Sequence, residues 1–231
     1  MSKFEMGGKR LLKCIVFLIL IQLAVSATDS VNCQVNTFQT KQNFDLQKYL
    51  GIWYEMKWIV PFNVPANDRY LDYQHKYTMN TDNQVLASIT ARNSSKHCLY
   101  ITTYMNLTET PGKMVFSKQP DGGGDTYTYW IIETDYINYA VVYGCGQTLS
   151  NGTCGPTRLW IWSRKSSISP TLLASTEMLL NRLCLETSSL IPTTHNEGAC
   201  PPQTDDAMTM TSSNWSVIVS TIVYLYMFYL T

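Results

Sequence analysis

Eight short segments of strand-like composition, each bounded by turn residues, set the strongest limit on how this chain can fold. They lie at residues 49–59, 70–79, 85–91, 98–107, 113–118, 127–133, 139–144 and 158–164. Clusters of Asn, Asp and Gly separate them, including the three glycines at 122–124, and such clusters end strands. Mostly short turns favour antiparallel neighbours, so the eight segments predict an all-β protein, an eight-stranded antiparallel up-and-down β-barrel. Closure protects the strand edges, and a barrel of this size can enclose one small ligand.

A single amphipathic helix is predicted after the last strand. Ser169 fits the N-cap and Pro170 the first helical position, which are the places that these residue types prefer. Beyond them, apolar side chains recur at helical spacing on one broad face, namely Leu172, Leu173, Met178, Leu179, Leu180 and Leu183. We therefore expect one C-terminal α-helix packed outside the barrel.

The N-terminus and the cysteines indicate passage through the secretory pathway. A basic start, an apolar run over residues 15–25 and the small residues Ser26 and Ala27 predict a signal peptide at residues 1–27. Its removal takes Cys14 away and leaves an even set, Cys33, Cys98, Cys145, Cys154, Cys184 and Cys200. Such a set in a secreted chain predicts disulfides, and spacing alone leaves their pairing open. Sequons at Asn93, Asn106 and Asn151 predict N-glycosylation.

The C-terminus carries a second targeting pattern. Residues 215–231 are almost wholly apolar with no basic residue after them, and residues 203–214 form a polar spacer that contains small residues. A membrane-spanning helix is usually longer and has a basic flank on its cytoplasmic side. The pattern favours a GPI-attachment signal, with attachment near 205–207 or 212–214 and removal of the tail; a transmembrane anchor is the alternative. The folded domain is then expected at residues 28–202.

Charge and motif content exclude several function classes. The 17 Lys and Arg residues balance 17 Asp and Glu residues without a basic block, so nucleic acid is not an expected partner. His75, His97 and His195 are scattered without metal-ligand spacing, and we expect them on the surface. No nucleophile motif or acid–base pair is recognisable. We therefore predict a protein that is not an enzyme, with no metal, no cofactor and no catalytic residue.

Three motifs in order along the chain resemble the signature regions of the lipocalin family. They are Asn43-Phe44-Asp45 with Gly51-x-Trp53-Tyr54, Thr134-Asp135-Tyr136 with the run 139–143, and the run 160–164 that ends at Arg164. The resemblance covers residues 33–200. Its first region is most similar to apolipoprotein D, and the cysteine layout is similar to that of plasma retinol-binding protein.

The resemblance implies a disulfide pairing and the construction of one end of the barrel. The layout of retinol-binding protein implies the pairs Cys33–Cys184, Cys98–Cys200 and Cys145–Cys154. Apolipoprotein D uses a cysteine near the position that is Tyr70 here, which disfavours its pairing. Arg164 is expected to lie over Trp53 as a cation–π pair. The residues expected to hold the closed end together without touching ligand are Gly51, Trp53, Thr134, Asp135, Tyr136 and Arg164.

Alternation along the strands, aligned on the family, gives a candidate ligand-binding lining. It is apolar and aromatic with a few tyrosine hydroxyls and no inward charge, as ligand pockets generally are. The predicted inward residues are Met56, Ala87, Ile89, Ile101, Met114, Phe116, Tyr127, Tyr129, Ile131, Ala140, Val142, Trp160 and Trp162. About half of them are expected to touch ligand, and the others to fill the closed half of the barrel. The loop 60–69, with Phe62 and Val64, is expected at the open mouth as a lid or a membrane-facing tip.

The resemblance implies two candidate functions. The first is extracellular binding and transport of a small hydrophobic ligand, such as a lipid, retinoid, sterol or pigment. The second is adhesion at the outer face of the plasma membrane through a GPI anchor, in the manner that the lipocalin Lazarillo suggests, with a cell-surface protein as partner. On both hypotheses the anchor is the protein's link to the membrane.

Overall fold

The computed structural model describes residues 34–201, apart from 83, 122–125, 184 and 186. The predicted signal peptide, the GPI spacer and tail, Cys33 and Cys184 lie outside the described residues. Within this part of the chain the strands are β1 Gly51–Ile59, β2 Leu71–Met79, β3 Val85–Arg92, β4 Cys98–Leu107, β5 Lys113–Ser117, β6 Tyr127–Thr134, β7 Tyr139–Cys145, β8 Thr157–Ser163 and β9 Ile191–Pro192. The helices are α1 Leu46–Tyr49 and α2 Pro170–Arg182, with 3-10 turns at Val35–Thr37 and Ala66–Asp68.

The sheet closes on itself as predicted. Each strand from β1 to β7 pairs antiparallel with the next one along the chain, and β8 returns to pair with β1. The eight-stranded up-and-down barrel is therefore confirmed, with strand bounds close to the expected ones. The one-turn helix α1 at the closed end and the short strand β9 were not predicted.

Apolar side chains form two separate cores, one inside the barrel and one outside it. The inner core combines very large residues such as Trp53 and Trp162 with small ones such as Ala87 and Ala140. The outer core packs α2 against the outward side chains of β7 and β8, for example Leu180 against the layer of Val141, Leu159 and Ile161. The alternation of each strand supplies both cores from one sheet.

Helix α2 begins where the sequence predicts, but the face that it buries is not the predicted one. The Ser169 side chain accepts a hydrogen bond from Leu172 N at 3.2 Å, and Pro170 opens the helix. Met178, expected on the apolar face, is 56% exposed, whereas Thr176 is buried. The two residues are about 200° apart on a helical wheel, so the burial of Thr176 directs Met178 to solvent. The Thr176 hydroxyl donates to Leu173 O at 2.7 Å, which removes the cost of burying it.

The closed end is held by one guanidinium. Arg164 Cζ lies 3.8 Å from the centroid of the Trp53 ring. Its nitrogens donate to Tyr136 O at 2.9 Å, to Ile52 O at 2.9 Å and to Lys48 O at 2.7 Å. A Cβ on the residue at position 51 would lie 3.2 Å from Arg164 Nη1, and φ there is +98°. Gly51 is therefore required by both space and backbone conformation.

The turn between β6 and β7 supplies the other half of the closed end. Asp135 Oδ1 accepts from the amides of Asn138 at 2.7 Å and of Tyr139 at 3.0 Å. Thr134 Oγ1 donates to Tyr139 O at 2.6 Å and accepts from Tyr136 N at 2.9 Å. Burial raises the pKa of Asp135, but hydrogen bonds from the Asn138 side chain and from the amides of residues 137–139 outweigh it and hold this pKa below its usual value. The turn thereby presents Tyr136 O to Arg164.

The C-terminal segment 191–197, here called the strap, completes the barrel wall near the open end. Strand β1 pairs with β2 only from Gly51 to Tyr54, and beyond that point β9 takes the free edge. Thr193 N donates to Met56 O at 3.0 Å, and Asp72 N donates to Thr194 O at 2.8 Å, so the strap bridges β1 and β2. A disulfide joins Cys98 to Cys200 just beyond it.

The second described disulfide lies between β7 and β8. Cys145, the last residue of β7, is bonded to Cys154, and the loop between them carries the sequon residue Asn151. The Asn151 side chain accepts from Thr153 N at 3.0 Å. None of the helices in the described part of the chain is long and apolar enough to cross a membrane.

Candidate ligand-binding cavity

The open half of the barrel holds a cavity of about 510 Å³, a volume typical of small-molecule sites. Strands β1, β2, β5, β6 and β8 and the loop 60–69 form its wall. Most of the wall is aromatic or aliphatic, and it includes five charged residues. The lining residues are Glu55, Trp58, Val60, Phe62, Val64, Asp68, Arg69, Tyr70, Tyr73, Phe116, Lys118, Tyr127, Arg158 and Trp160.

The loop 60–69 forms the rim of the cavity. Val60, Phe62 and Val64 all line the cavity. Arg69 Nε donates to Val64 O at 3.3 Å, which closes the second half of the loop across the 3-10 turn at Ala66–Asp68. Phe62 remains exposed, so a large apolar side chain stands at the entrance.

The predicted lining residues fall into three groups. Phe116, Tyr127 and Trp160 line the cavity. Ile89 is buried, and Ile101, its partner across the β3–β4 ladder, is 42% exposed and lies away from the cavity lining. The group that fills the closed half as inner core comprises Ala87, Met114, Tyr129, Ile131, Ala140, Val142 and Trp162. The large rings of that group occupy the space below the cavity.

Met56 is the one predicted inward residue that the structure places outside the barrel. The pairing of β1 with β8 shifts between Glu55 and Lys57, so that Glu55 faces Trp162 and Lys57 faces Ile161. This β-bulge adds one residue, so that Trp58 and not Lys57 is the next inward residue after Glu55, and Trp58 lines the cavity. Met56 points outward by alternation from Trp53, which lies in the inner core, and Met56 belongs to the outer core beside α2.

An acidic side chain lies inside the barrel, contrary to the prediction of an uncharged interior. Glu55 is 6% exposed, and its Oε1 accepts a hydrogen bond from Thr193 Oγ1 of the strap at 2.6 Å. Burial raises the pKa of Glu55 from 4.5 to about 8, because a low-dielectric site disfavours the charged form. At neutral pH the group is mainly a neutral carboxylic acid.

A buried chain of hydrogen bonds runs beneath the cavity. His75 Nδ1 lies 2.6 Å from Tyr77 Oη, and His75 Nε2 lies 3.3 Å from Tyr73 Oη. Tyr77 Oη is 2.7 Å from Tyr129 Oη, which is 3.4 Å from Tyr49 Oη. Burial lowers the pKa of His75 to about 3 and raises the pKa of Tyr77 and Tyr129. The chain is therefore neutral.

Two of the three histidines expected on the surface are buried. His75 packs against Trp162, with ring centroids 4.6 Å apart and an interplanar angle of 45°. The His195 side chain is nearly inaccessible, and its Nε2 donates to Glu55 O at 2.7 Å. The polar partners of His75 are Tyr73 and Tyr77 of its own strand, whereas His195 finds its partner on β1. His97 is exposed, as predicted.

Aromatic rings stack on one another along one side of the cavity. Phe116 and Tyr127 stack with centroids 4.4 Å apart and an interplanar angle of 20°. Tyr127 and Trp160 are 5.9 Å apart at 27°. The Arg158 guanidinium lies over the Tyr127 ring at 4.4 Å. Among the described residues, no group of three metal-ligating side chains could hold a metal ion.

A family model described as the lipocalin and cytosolic fatty-acid binding protein family matches residues 51–197. The match includes every strand of the barrel and the strap. The chain is a lipocalin. Members of this family are binding and transport proteins, so this lipocalin is not an enzyme. Its disulfides indicate an oxidising, extracellular location.

Known relatives agree with this assignment. The lipocalin is 31% identical to purpurin from Gallus gallus over 160 residues, which cover 64% of this chain and 79% of purpurin. It is 29% identical to retinol-binding protein 4 from Gallus gallus over 159 residues, covering 64% and 78% of the two chains.

Solved structures share the fold at lower identity. Lobster apocrustacyanin A1 superposes with a TM-score of 0.58 at 18% identity, covering 74% of this chain and 91% of that one. The cockroach allergen Per a 4 gives a TM-score of 0.53 at 24% identity, covering 72% and 97%. At such sequence identities the likeness shows the barrel fold alone.

Proposed function

We propose that this lipocalin carries an elongated hydrophobic molecule with a planar ring or polyene system, of the retinoid type, in the open half of its barrel. The observation that carries this proposal is the cavity of about 510 Å³ above a solidly packed closed half. Burial of apolar ligand surface contributes roughly 25 cal/mol per Å². The stacked rings of Phe116, Tyr127 and Trp160 give one side of the cavity an aromatic surface against which an apolar ring or polyene can pack. The similarity to retinol-binding protein 4 agrees with this ligand class.

Retinol titration tests the proposal. Trp58 and Trp160 line the cavity, so bound retinol should quench tryptophan emission, and retinol emission should rise. Val60→Trp fills the cavity and should weaken retinol binding by about tenfold or more, which is roughly 1.4 kcal/mol. Ile137→Trp is the matched control, because Ile137 is exposed in the turn at the closed end. Absence of binding by retinol, fatty acids and sterols alike would remove the proposal.

The second candidate is adhesion at the cell surface by a GPI-anchored form. The polar spacer 203–214 and the apolar segment 215–231 favour it. In this case the outer face of the barrel and glycans at Asn93, Asn106 and Asn151 would contact a protein partner. The cavity-filling Val60→Trp variant separates the two candidates, since adhesion should survive it and transport should not. The likeness of residues 43–54 to apolipoprotein D stays a prediction.

A further inference from the structure

The floor of the cavity carries two polar groups whose hydrogen-bonding capacity is incompletely used. Glu55, Trp58 and Val60 line the cavity from β1, and Glu55 is the one nearest the closed end. Its Oε1 is bonded to Thr193, and its Oε2 has no hydrogen-bond partner among the described residues. Tyr73 lies beside it on β2 and also lines the cavity. Glu55 Oε2 is therefore open to the cavity, where a ligand atom can form a hydrogen bond with it.

A proton count indicates that Tyr73 offers a donor to the cavity. The chain from Tyr73 through His75, Tyr77 and Tyr129 to Tyr49 has four contacts. Its members supply five protons, one from each tyrosine and one from the neutral imidazole. One proton is therefore left over. Tyr49, Tyr77 and Tyr129 are fully buried, whereas Tyr73 reaches the cavity, so the spare proton is best placed on the Tyr73 hydroxyl.

The surrounding charges favour a neutral ligand group at this floor. Arg69, Lys118 and Arg158 line the wall, with Asp68 as the acidic residue near them. An ammonium group would meet this positive wall, and the face of Tyr127 is already covered by Arg158. A carboxylate would bring its own charge into the low-dielectric floor that keeps Glu55 protonated, where an ion is costly to bury. A hydroxyl or carbonyl carries no charge and can accept from both the Tyr73 hydroxyl and the protonated Glu55 carboxyl.

We propose that Glu55 and Tyr73 form a polar subsite at the cavity floor that receives a hydroxyl or carbonyl group at the buried end of the ligand. The ligand then enters with its oxygen-bearing end first and its apolar body against Trp58 and Trp160. The inference rests on the proposed function, because it concerns the orientation and the chemistry of the molecule in the same cavity. Thr193 of the strap positions Glu55 for this contact.

A matched set of small probes tests the subsite. Decan-1-ol and decan-2-one each carry one oxygen that decane lacks. The binding of all three can be measured by displacement of the fluorescent probe N-phenyl-1-naphthylamine. Tyr73→Phe removes only the hydroxyl, and Glu55→Leu removes the carboxyl at similar volume. Each variant should weaken decanol and decanone binding by about three- to tenfold, as expected for the loss of one hydrogen bond, and leave decane binding unchanged. Glu55→Gln keeps a donor and an acceptor and should retain the preference for decanol.

Tyr104→Phe is the control, since Tyr104 lies on the outer face of β4 opposite Leu86. If the variants weaken decane as much as decanol, or change neither, the subsite is wrong and the cavity proposal stands. If none of the three probes displaces N-phenyl-1-naphthylamine from the unsubstituted protein while retinol does, the subsite proposal fails and the cavity proposal stands; if retinol does not bind either, both proposals fail. Should Glu55→Leu not fold, Tyr73→Phe decides alone, because it deletes a single oxygen.

Discussion

At the scale of single residues, Arg164 connects three separate backbone segments at the closed end. Its donors reach carbonyls of α1, of β1 and of the β6–β7 turn while its plane covers Trp53. A lysine keeps the charge and loses the planar fork of donors. Arg164→Lys should therefore lower the free energy of unfolding by about 2–3 kcal/mol, measured by urea denaturation. Lys165→Arg, at an exposed neighbour, should change it by less than about 0.5 kcal/mol; equal effects would contradict the assignment.

Glu55 makes stability depend on pH in a defined direction. Its folded pKa of about 8 lies above the ordinary 4.5, so the folded state keeps a proton that the unfolded state releases. With respect to Glu55, the free energy of unfolding is highest below pH 4.5 and falls between pH 4.5 and 8 by at most about 1.4 kcal/mol per pH unit. Above pH 8 it no longer changes with pH.

Glu55→Gln should remove this dependence. In urea unfolding experiments, the free energy of unfolding of the variant should rise steadily relative to that of the unsubstituted protein from pH 5 to pH 8. The depressed pKa of His75 acts in the opposite direction, costing stability as pH falls below 6.5, and it cancels because both proteins carry it. If the two free energies of unfolding instead differ by a constant amount from pH 5 to pH 8, Glu55 is ionised in the folded state.

At the scale of elements, the strap and its disulfide connect the C-terminus to the cavity wall. The Cys98–Cys200 bond closes a separation of 102 residues, and Cys145–Cys154 closes only 9. Chain entropy predicts that removal costs about 4.7 and about 2.6 kcal/mol respectively. Replacement of Cys98 and Cys200 by serine should also speed ligand release in stopped-flow measurements, because Thr193 then holds Glu55 less firmly. The matched pair, Cys145→Ser with Cys154→Ser, should leave release unchanged, and equal release rates in the two variants would exclude this role of the strap.

The elements were predictable from sequence to the extent that local patterns determine them. Alternation and turn residues locate eight strands, and Ser169-Pro170 locates the start of α2. Met56 was placed wrongly because the inward set was aligned on the family, whereas alternation from the buried Trp53 puts Glu55 inward and Met56 outward. Residues distant in sequence determine the bulge that turns Trp58 inward, the burial of His75 against Trp162 and the pairing of Ile191–Pro192 with β1. Contacts of this kind cannot be inferred from a single strand.

At the scale of the whole molecule, the barrel divides into a packed half and a hollow half. Arg164, Trp53 and the rings above them form a solid base, and the cavity opens at the other end beside the loop 60–69. This division explains why only Phe116, Tyr127 and Trp160 of the predicted lining reach the cavity. Alternation indicates which side chains point inward, and it does not indicate the height at which side chains cease to fill the interior.

The described chain ends beside the open mouth, which bears on how an anchored form would be held. Cys200 is bonded to Cys98 at the start of β4, and Tyr100 Oη donates to Pro201 O at 2.7 Å. A GPI anchor near 205–207 or 212–214 would then tether the protein close to its ligand entrance. Phosphatidylinositol-specific phospholipase C should release the protein from intact cells with retinol binding preserved, and truncation after residue 202 should send it directly into the medium. Retention in the membrane fraction after phospholipase treatment would instead establish a transmembrane tail.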